Sequence, residues 1–313
     1  MNLANPETAF AFSVDEIAFP RPDGRQDDLG LVAKAVVQRA RARLEAWNAA
    51  GASGAQIVSA STEVMDRTVS FLHAAAVADF TRRNARVNQK CAVLAQGGYG
   101  RGELNVQSDI DLLFLYPWKA NPYVETVAEI VVPALWDAGL QVGSAMRNVR
   151  ECCRLAARDL KVKTALLDAR YLCGDRSPYE DFEARVVEEV WAPNQTAFFR
   201  EKLKESEERH ARMGDSVYLL QPQLKEGMGG LRDLHTALWM AKVKFKTHAL
   251  RELVAIGVLR DQDVAALDHA LDFLWRVRNG MHLATGSHQD HLTFDLQDRL
   301  APELGFGTGR RGI

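Results

Sequence analysis

Gly97-Gly98-Tyr99-Gly100-Arg101-Gly102-Glu103-Leu104, followed by Ser108-Asp109-Ile110-Asp111-Leu112-Leu113-Phe114-Leu115, is the stretch whose reading decides the fold. Cys91-Ala92-Val93-Leu94-Ala95 before it is a short apolar run that stops at glycines, the pattern of a buried strand. The glycines then open a turn, and Asp109 to Leu115 reads as a second strand. Side chains alternate along a strand, so Asp109 and Asp111 are expected on one face and Ile110 and Leu112 on the other. Two adjacent carboxylates repel unless a cation lies between them. That pairing predicts a divalent-metal site, with Mg²⁺ as the cation, because Mg²⁺ takes oxygen ligands and is commonly held by carboxylates together with substrate phosphates. Gly97 and Gly98 allow positive φ and close approach of phosphate oxygens that a side chain would block.

Outward from this stretch, the pattern is helical on both sides. Leu29 to Arg86 reads as two helices broken at Ala50-Gly51-Ala52-Ser53-Gly54. After the second strand, Asn121-Pro122 starts a helix with Val124, Val127, Val131 and Leu135 on one face, and Pro133 is expected to kink or shorten it. Leu140 to Arg147 reads as a third strand, and Leu166 to Leu172 as a fourth strand or a helix. Beyond Gly174-Asp175 the composition is helical, with a charged, solvated face over Phe198–Met213 and a Gly-rich loop over Gln221–Arg232. The expected architecture is α+β, a small mixed β-sheet core flanked by helices. Its expected divisions are an N-terminal helical region (1–85), the core (86–175) and a helical domain lining a nucleotide cleft (176–313).

Composition excludes several classes of function. The 313 residues are 47% hydrophobic and 26% charged, which suits an ordinary globular chain with a sizeable core. A net charge of −2 lacks the basic excess of a nucleic-acid binder, so no nucleic-acid partner is expected. No apolar run is long enough for a membrane span, and Met1–Pro6 does not open a secretory signal. Cys91, Cys152, Cys153 and Cys173 form no C-x-x-C pair, which fits reduced thiols and a cytoplasmic location. The glycine spacing is wrong for a dinucleotide fold, and no Gly-Lys-Ser/Thr follows to make a P-loop. His282, His288 and His291 with Asp290 match no zinc spacing and are expected to be solvent-exposed. Lys242, Lys244 and Lys246 read as a solvated face.

A Gly-Gly pair, a gap of about ten residues and then Asp109-Ile110-Asp111-Leu112 resembles the DNA polymerase beta nucleotidyltransferase superfamily. The likeness goes further. Gly97–Leu104, Ser108–Leu113, Leu140–Arg147 and Lys225-Glu226-Gly227-Met228-Gly229-Gly230-Leu231-Arg232-Asp233 are similar to the bifunctional uridylyltransferase/uridylyl-removing enzymes of the PII nitrogen-signalling protein. So are Phe273–Asn279 and Leu292–Gln297. The chain departs from the family pattern at Asn105-Val106, at Ser144-Ala145 and at Met228, none of which touches the acidic pair.

The resemblance implies transfer of UMP from UTP to a tyrosine of PII by two-metal-ion chemistry, with release of pyrophosphate. Asp109 and Asp111 would hold the metals, and a third carboxylate is expected on a later strand, with Asp168 as the candidate. Should that segment be helical instead, Asp168 and Arg170 become a surface ion pair. Gly97, Gly98, Arg101, Ser108, Lys225 and Arg232 are the candidate nucleotide contacts. Arg101 has two readings, a bidentate phosphate clamp or a salt bridge to Glu103. No His-Asp dipeptide is present, so the uridylyl-removing hydrolase and the glutamine-sensing domains are not expected in this chain, which reads as a piece of a longer protein. A nucleotidyltransferase with another acceptor, or a non-catalytic nucleotide-sensing module, are the alternatives.

Overall fold

The computed structural model describes residues 10–12, 17–20, 28–84, 89–247 and 249–306. Met1–Pro6, the expected helix end at Arg86 and the expected loop-like end Gly307–Ile313 lie outside them. In chain order the elements are α1 (Leu29–Ala49), α2 (Gly54–Arg83), β1 (Ala92–Gln96), the single turn α3 (Gly97–Gly100) and β2 (Ile110–Tyr116). Next come α4 (Pro122–Asp137), β3 (Val142–Asn148), α5 (Val149–Ala156), α6 (Leu160–Leu167), β4 (Arg170–Gly174) and α7 (Arg176–Val186). A π-helical turn over Val187–Trp191 leads to α8 (Gln195–Arg212), α9 (Leu231–Phe245), α10 (Leu250–Ala255), α11 (Asp261–Thr285) and α12 (Phe294–Leu300). The fold is α+β, and no helix among the described residues is long and apolar enough to cross a membrane.

The chain forms two compact units. The first takes Met1–Leu44, Val58–Leu104 and Ser108–Pro193, and the second takes Glu45–Ile57, Asn105–Gln107 and Asn194–Ile313. In the first, the sheet order is β3-β2-β1-β4, with β1 antiparallel to both β2 and β4 and β2 parallel to β3. β1 is buried along its whole length, as its apolar run requires. The core joins Leu29, Ala33 and Val37 of α1 and Val69 and Leu72 of α2 to Val93 and Phe114 of the sheet and Val127 and Leu135 of α4. In the second unit a smaller core gathers Leu224, Val277, Met281, Leu296 and Leu300.

Two local expectations change. Pro133 does not end α4, which runs on to Asp137. Pro133 and Glu129, whose carbonyl loses a donor to the proline ring, are both exposed, while the opposite face is buried. Water can satisfy that carbonyl, and packing outweighs the lost bond. The segment Leu166–Leu172 is neither one strand nor one helix. α6 ends at Leu167, Asp168 caps its C-terminus, and β4 begins at Arg170.

Cys91, Cys152 and Cys153 are buried, and Cys173 is half-buried. Burial pushes the thiols up, to about 12 for Cys152, about 11 for Cys153 and about 12 for Cys173. Thiolate is the reactive form, so all four should label slowly at pH 8 in the native state and at once in denaturant. Stopped-flow labelling with a chromogenic disulfide reads this directly. Fast native labelling of any of the four would contradict the burial.

Candidate active site

Asp111 is the one exposed residue of β2, in an otherwise buried strand. Register explains its surroundings. It lies opposite Gln96 on the antiparallel neighbour and opposite Gly143 on the parallel one. Two glycines leave room for its carboxylate, Gly143 directly opposite and Gly97 next to Gln96. A Cβ at Gly143 would stand 2.6 Å from Asp111 Oδ1, and one at Gly97 3.1 Å from Oδ2. The carboxylate therefore sits in a cradle that only glycine leaves empty. Gly97 has φ +58°, so its conformation, as well as its size, selects glycine.

Asp109, where the sequence pattern starts the second strand, lies one residue before β2 and is exposed. Ile110 between them is fully buried, and its N–H donates to the Gln141 carbonyl at 2.8 Å, which ties this end of β2 to β3. Ser108 lies just before the pair and is half-buried. The glycine turn is closed by Arg101 N–H to Gly97 O (3.0 Å) and Glu103 N–H to Gly98 O (2.9 Å).

Arg101 takes two carboxylates at once. Its Nε donates to Glu103 Oε2 at 2.8 Å and its Nη1 to Asp168 Oδ2 at 2.6 Å. The salt bridge to Glu103 is thus present, and Asp168 joins it. Burial opposes the guanidinium charge, yet Glu103 and Asp168 raise its pKa. The Asp168 side chain is 1% exposed. It stands at a helix end instead of on a strand, so its pairing is not the expected surface one. Gly100 brings the two segments together, since a Cβ there would lie 1.9 Å from the Asp168 carbonyl oxygen. Arg170, expected beside Asp168 on one strand face, instead makes a bidentate pair with Asp66 (2.8 and 3.0 Å) and donates to Gly100 O and Tyr99 O. Arg101→Met would leave Asp168 buried without this partner. Breaking a buried pair from one side should cost about 3 kcal/mol, read as a lower urea midpoint at unchanged slope.

Lys225 and Arg232 belong to the second unit. Arg232 pairs with Glu226 at 2.9 Å and stacks over Trp239 at 5.4 Å. Burial and then Arg278 lower the Lys225 pKa. Asp233 in the first turn of α9 accepts from Gly229 N (2.7 Å) and Arg209 (2.6 Å), which pins the Gly-rich loop to that helix. Burial works against its charge, but the bonds from Arg209 and His210 lower its pKa.

The histidines divide. His288 and His291 are exposed as expected, whereas His282 is wholly buried in α11. His282, His288 and Asp290 bring one donor atom each within 4.8 Å of one another. A cation is already there, because Arg278 donates to Asp290 Oδ1 at 2.6 Å and lies 3.0 Å from His288 Nε2. Arg278 also donates to Asn105 Oδ1, and Asn105 donates to Asn279 Oδ1 at 2.8 Å. The departure at Asn105 therefore builds a buried polar network.

Gly143 escaped the sequence reading as a site residue. A glycine inside a strand often marks a close backbone approach, and that signal was present in Val142-Gly143-Ser144.

Two family models match separate parts of the chain. A family model described as GlnD PII-uridylyltransferase matches residues 197–312, and one described as Glutamate-ammonia ligase adenylyltransferase matches residues 21–131. A protein of Rhodospirillum rubrum named bifunctional uridylyltransferase/uridylyl-removing enzyme is 42% identical over 81% of this chain and 27% of its own length. Proteins of the same name from Nitrobacter hamburgensis and a Bradyrhizobium species are 46% and 39% identical, over 70% and 95% of this chain and 23% and 32% of theirs. The chain spans 23–32% of the length of these relatives. Identity of 39–46% over 70–95% of this chain, with a family model of like description over residues 197–312, makes the chain similar to one part of the bifunctional uridylyltransferase/uridylyl-removing enzymes.

Proposed function

We propose that this part of the protein transfers a uridylyl group from UTP to a tyrosine hydroxyl of the PII signalling protein. The observation that carries the reading is the Asp111 carboxylate, seated between Gly97 and Gly143 at the foot of the glycine turn. The donor set suits Mg²⁺: hard carboxylate oxygens on Asp109 and Asp111, both exposed, with glycines at 97 and 143 beside the Asp111 carboxylate. Asp109 and Asp111 would hold the metal, and bound Mg²⁺ would offset charge on the triphosphate and on the departing pyrophosphate. Asp168 is the third acid of the proposal. Its main chain lies against Gly100, and its bond to Arg101 fixes both groups beside the turn.

The chain's own work is placement. The tyrosine oxygen forms a bond to the α-phosphorus as the bond to the bridging α–β oxygen breaks, and the hydroxyl proton is lost. Gly97 and Gly98 let backbone N–H groups approach phosphate oxygens. Ser108 enters as a further nucleotide contact, from its place beside Asp109.

The family described as an adenylyltransferase matches across the glycine turn and both aspartates, which favours adenylyl transfer as the second reading. Incubation with Mg²⁺, PII and each of four α-labelled nucleoside triphosphates separates the two. Covalent label on PII from UTP alone is the expected result. Label from ATP would favour the second reading, and nucleotide binding without turnover would sink both.

A further inference from the structure

The first unit carries a cavity of about 700 Å³ at the end of the sheet away from the glycine turn. It opens where β2 and β3 finish, where β1 begins and where β4 hands over to α7. Asp111 and Pro117, which lines the cavity, are six residues apart along an extended strand, about 20 Å. The cavity is therefore distinct from the acidic pair.

Its lining is cationic. Lys90, Lys119, Arg150 and Arg185 face it, against one lining carboxylate among the described residues, Asp181. Arg185 is paired with Glu189, while Lys90 donates to Ser177 Oγ at 2.8 Å. Three helices start at its wall. Asn121 caps α4, Asn148 caps α5, and Ser177 lies in the first turn of α7, which has no side-chain cap at Asp175. Helix N-termini carry partial positive charge and add to the field of the basic side chains. The lining also includes one aromatic residue, Trp118, with Pro117 and Pro178. Trp118 is 83% exposed, and its carbonyl is held by Asn148 Nδ2 at 2.9 Å. A large ring left in water on an anchored backbone offers a stacking face.

We propose that this cavity binds a phosphorylated small molecule with a flat ring, of nucleotide size. Phosphate meets Lys119 and Arg150, and the ring lies on Trp118. The volume falls within the range of small-ligand pockets. The site would sense a nucleotide at a distance from the transfer chemistry, and it stands whether or not the transfer reading holds.

Titration calorimetry in EDTA, with ADP and inorganic pyrophosphate as probes, tests it without turnover. ADP should bind saturably. The double variant Lys119→Ala, Arg150→Ala should weaken both probes at least tenfold, with an unchanged thermal midpoint because both side chains are exposed. Trp118→Ala should weaken ADP about tenfold and leave pyrophosphate unchanged. Asp111→Asn should alter neither. Absence of ADP binding, or affinity unchanged in the double variant, overturns the proposal. So does a poly-glutamate peptide that binds more tightly than ADP and is lost in the double variant, because the cavity would then be a docking face for an acidic chain.

Discussion

Asp111→Asn is expected to lower uridylyl transfer to PII by about 10³-fold or more while moving the thermal midpoint little. Amide and carboxylate have the same shape, so the cradle between Gly97 and Gly143 stays filled. What goes is one negative charge aimed at the proposed metal position. Groups that meet developing charge in a phosphoryl-type reaction are worth roughly 10²–10³ in rate each, and a metal ligand also sets occupancy. Residue 111 is exposed, so no buried packing is disturbed. Asp109→Asn should behave in the same way. Transfer retained within tenfold by either purified variant would remove the two-carboxylate assignment, and a collapsed melting transition would show that the residue is structural instead.

Gly143→Ala and Gly100→Ala should fail in opposite ways, and the contrast tests the geometry. A methyl at residue 143 meets only the tip of the Asp111 side chain, 2.6 Å away. The carboxylate can swing aside, so stability should fall by less than about 1 kcal/mol. A displacement of about 1 Å at the reacting centre nevertheless costs about 10² in rate. At residue 100 the methyl meets backbone, the Asp168 carbonyl at 1.9 Å and the Ala95 carbonyl at 2.9 Å. Main chain cannot yield without separating the glycine turn from the end of α6, so the cost should reach about 3 kcal/mol in a denaturation curve. Equal destabilisation by the two variants would mean that Asp111 is not the group lodged against Gly143.

How far these sites were legible depends on how local each cause is. The glycine turn and the paired aspartates could be read because positive φ and a period of two are properties of a few consecutive residues. The strand beginning near Ala92 was legible from its apolar run and its glycine stop. Asp168 was expected on a strand and stands at a helix end instead, because α6 and β4 meet within two residues and Ala and Leu suit either state. Arg101 had two readings because its second partner is 67 residues away. His282 was expected in water because its neighbours in sequence are polar. It is buried because it lies one turn after Arg278 on the same helix face, where Asp290 and His288 pack against it and supply a polar interior.

From its own residues the chain therefore settled the α+β pattern, the turn and the two acids, all set by steric and charge rules acting over a handful of positions. Only the assembled sheet decided that Gly143 flanks Asp111, that Asp168 is locked to Arg101 and that a basic cavity opens at the far strand ends. Those features depend on which strands pair and in what register. Pairing is chosen by burial summed over the whole core, a quantity that no short stretch of sequence contains.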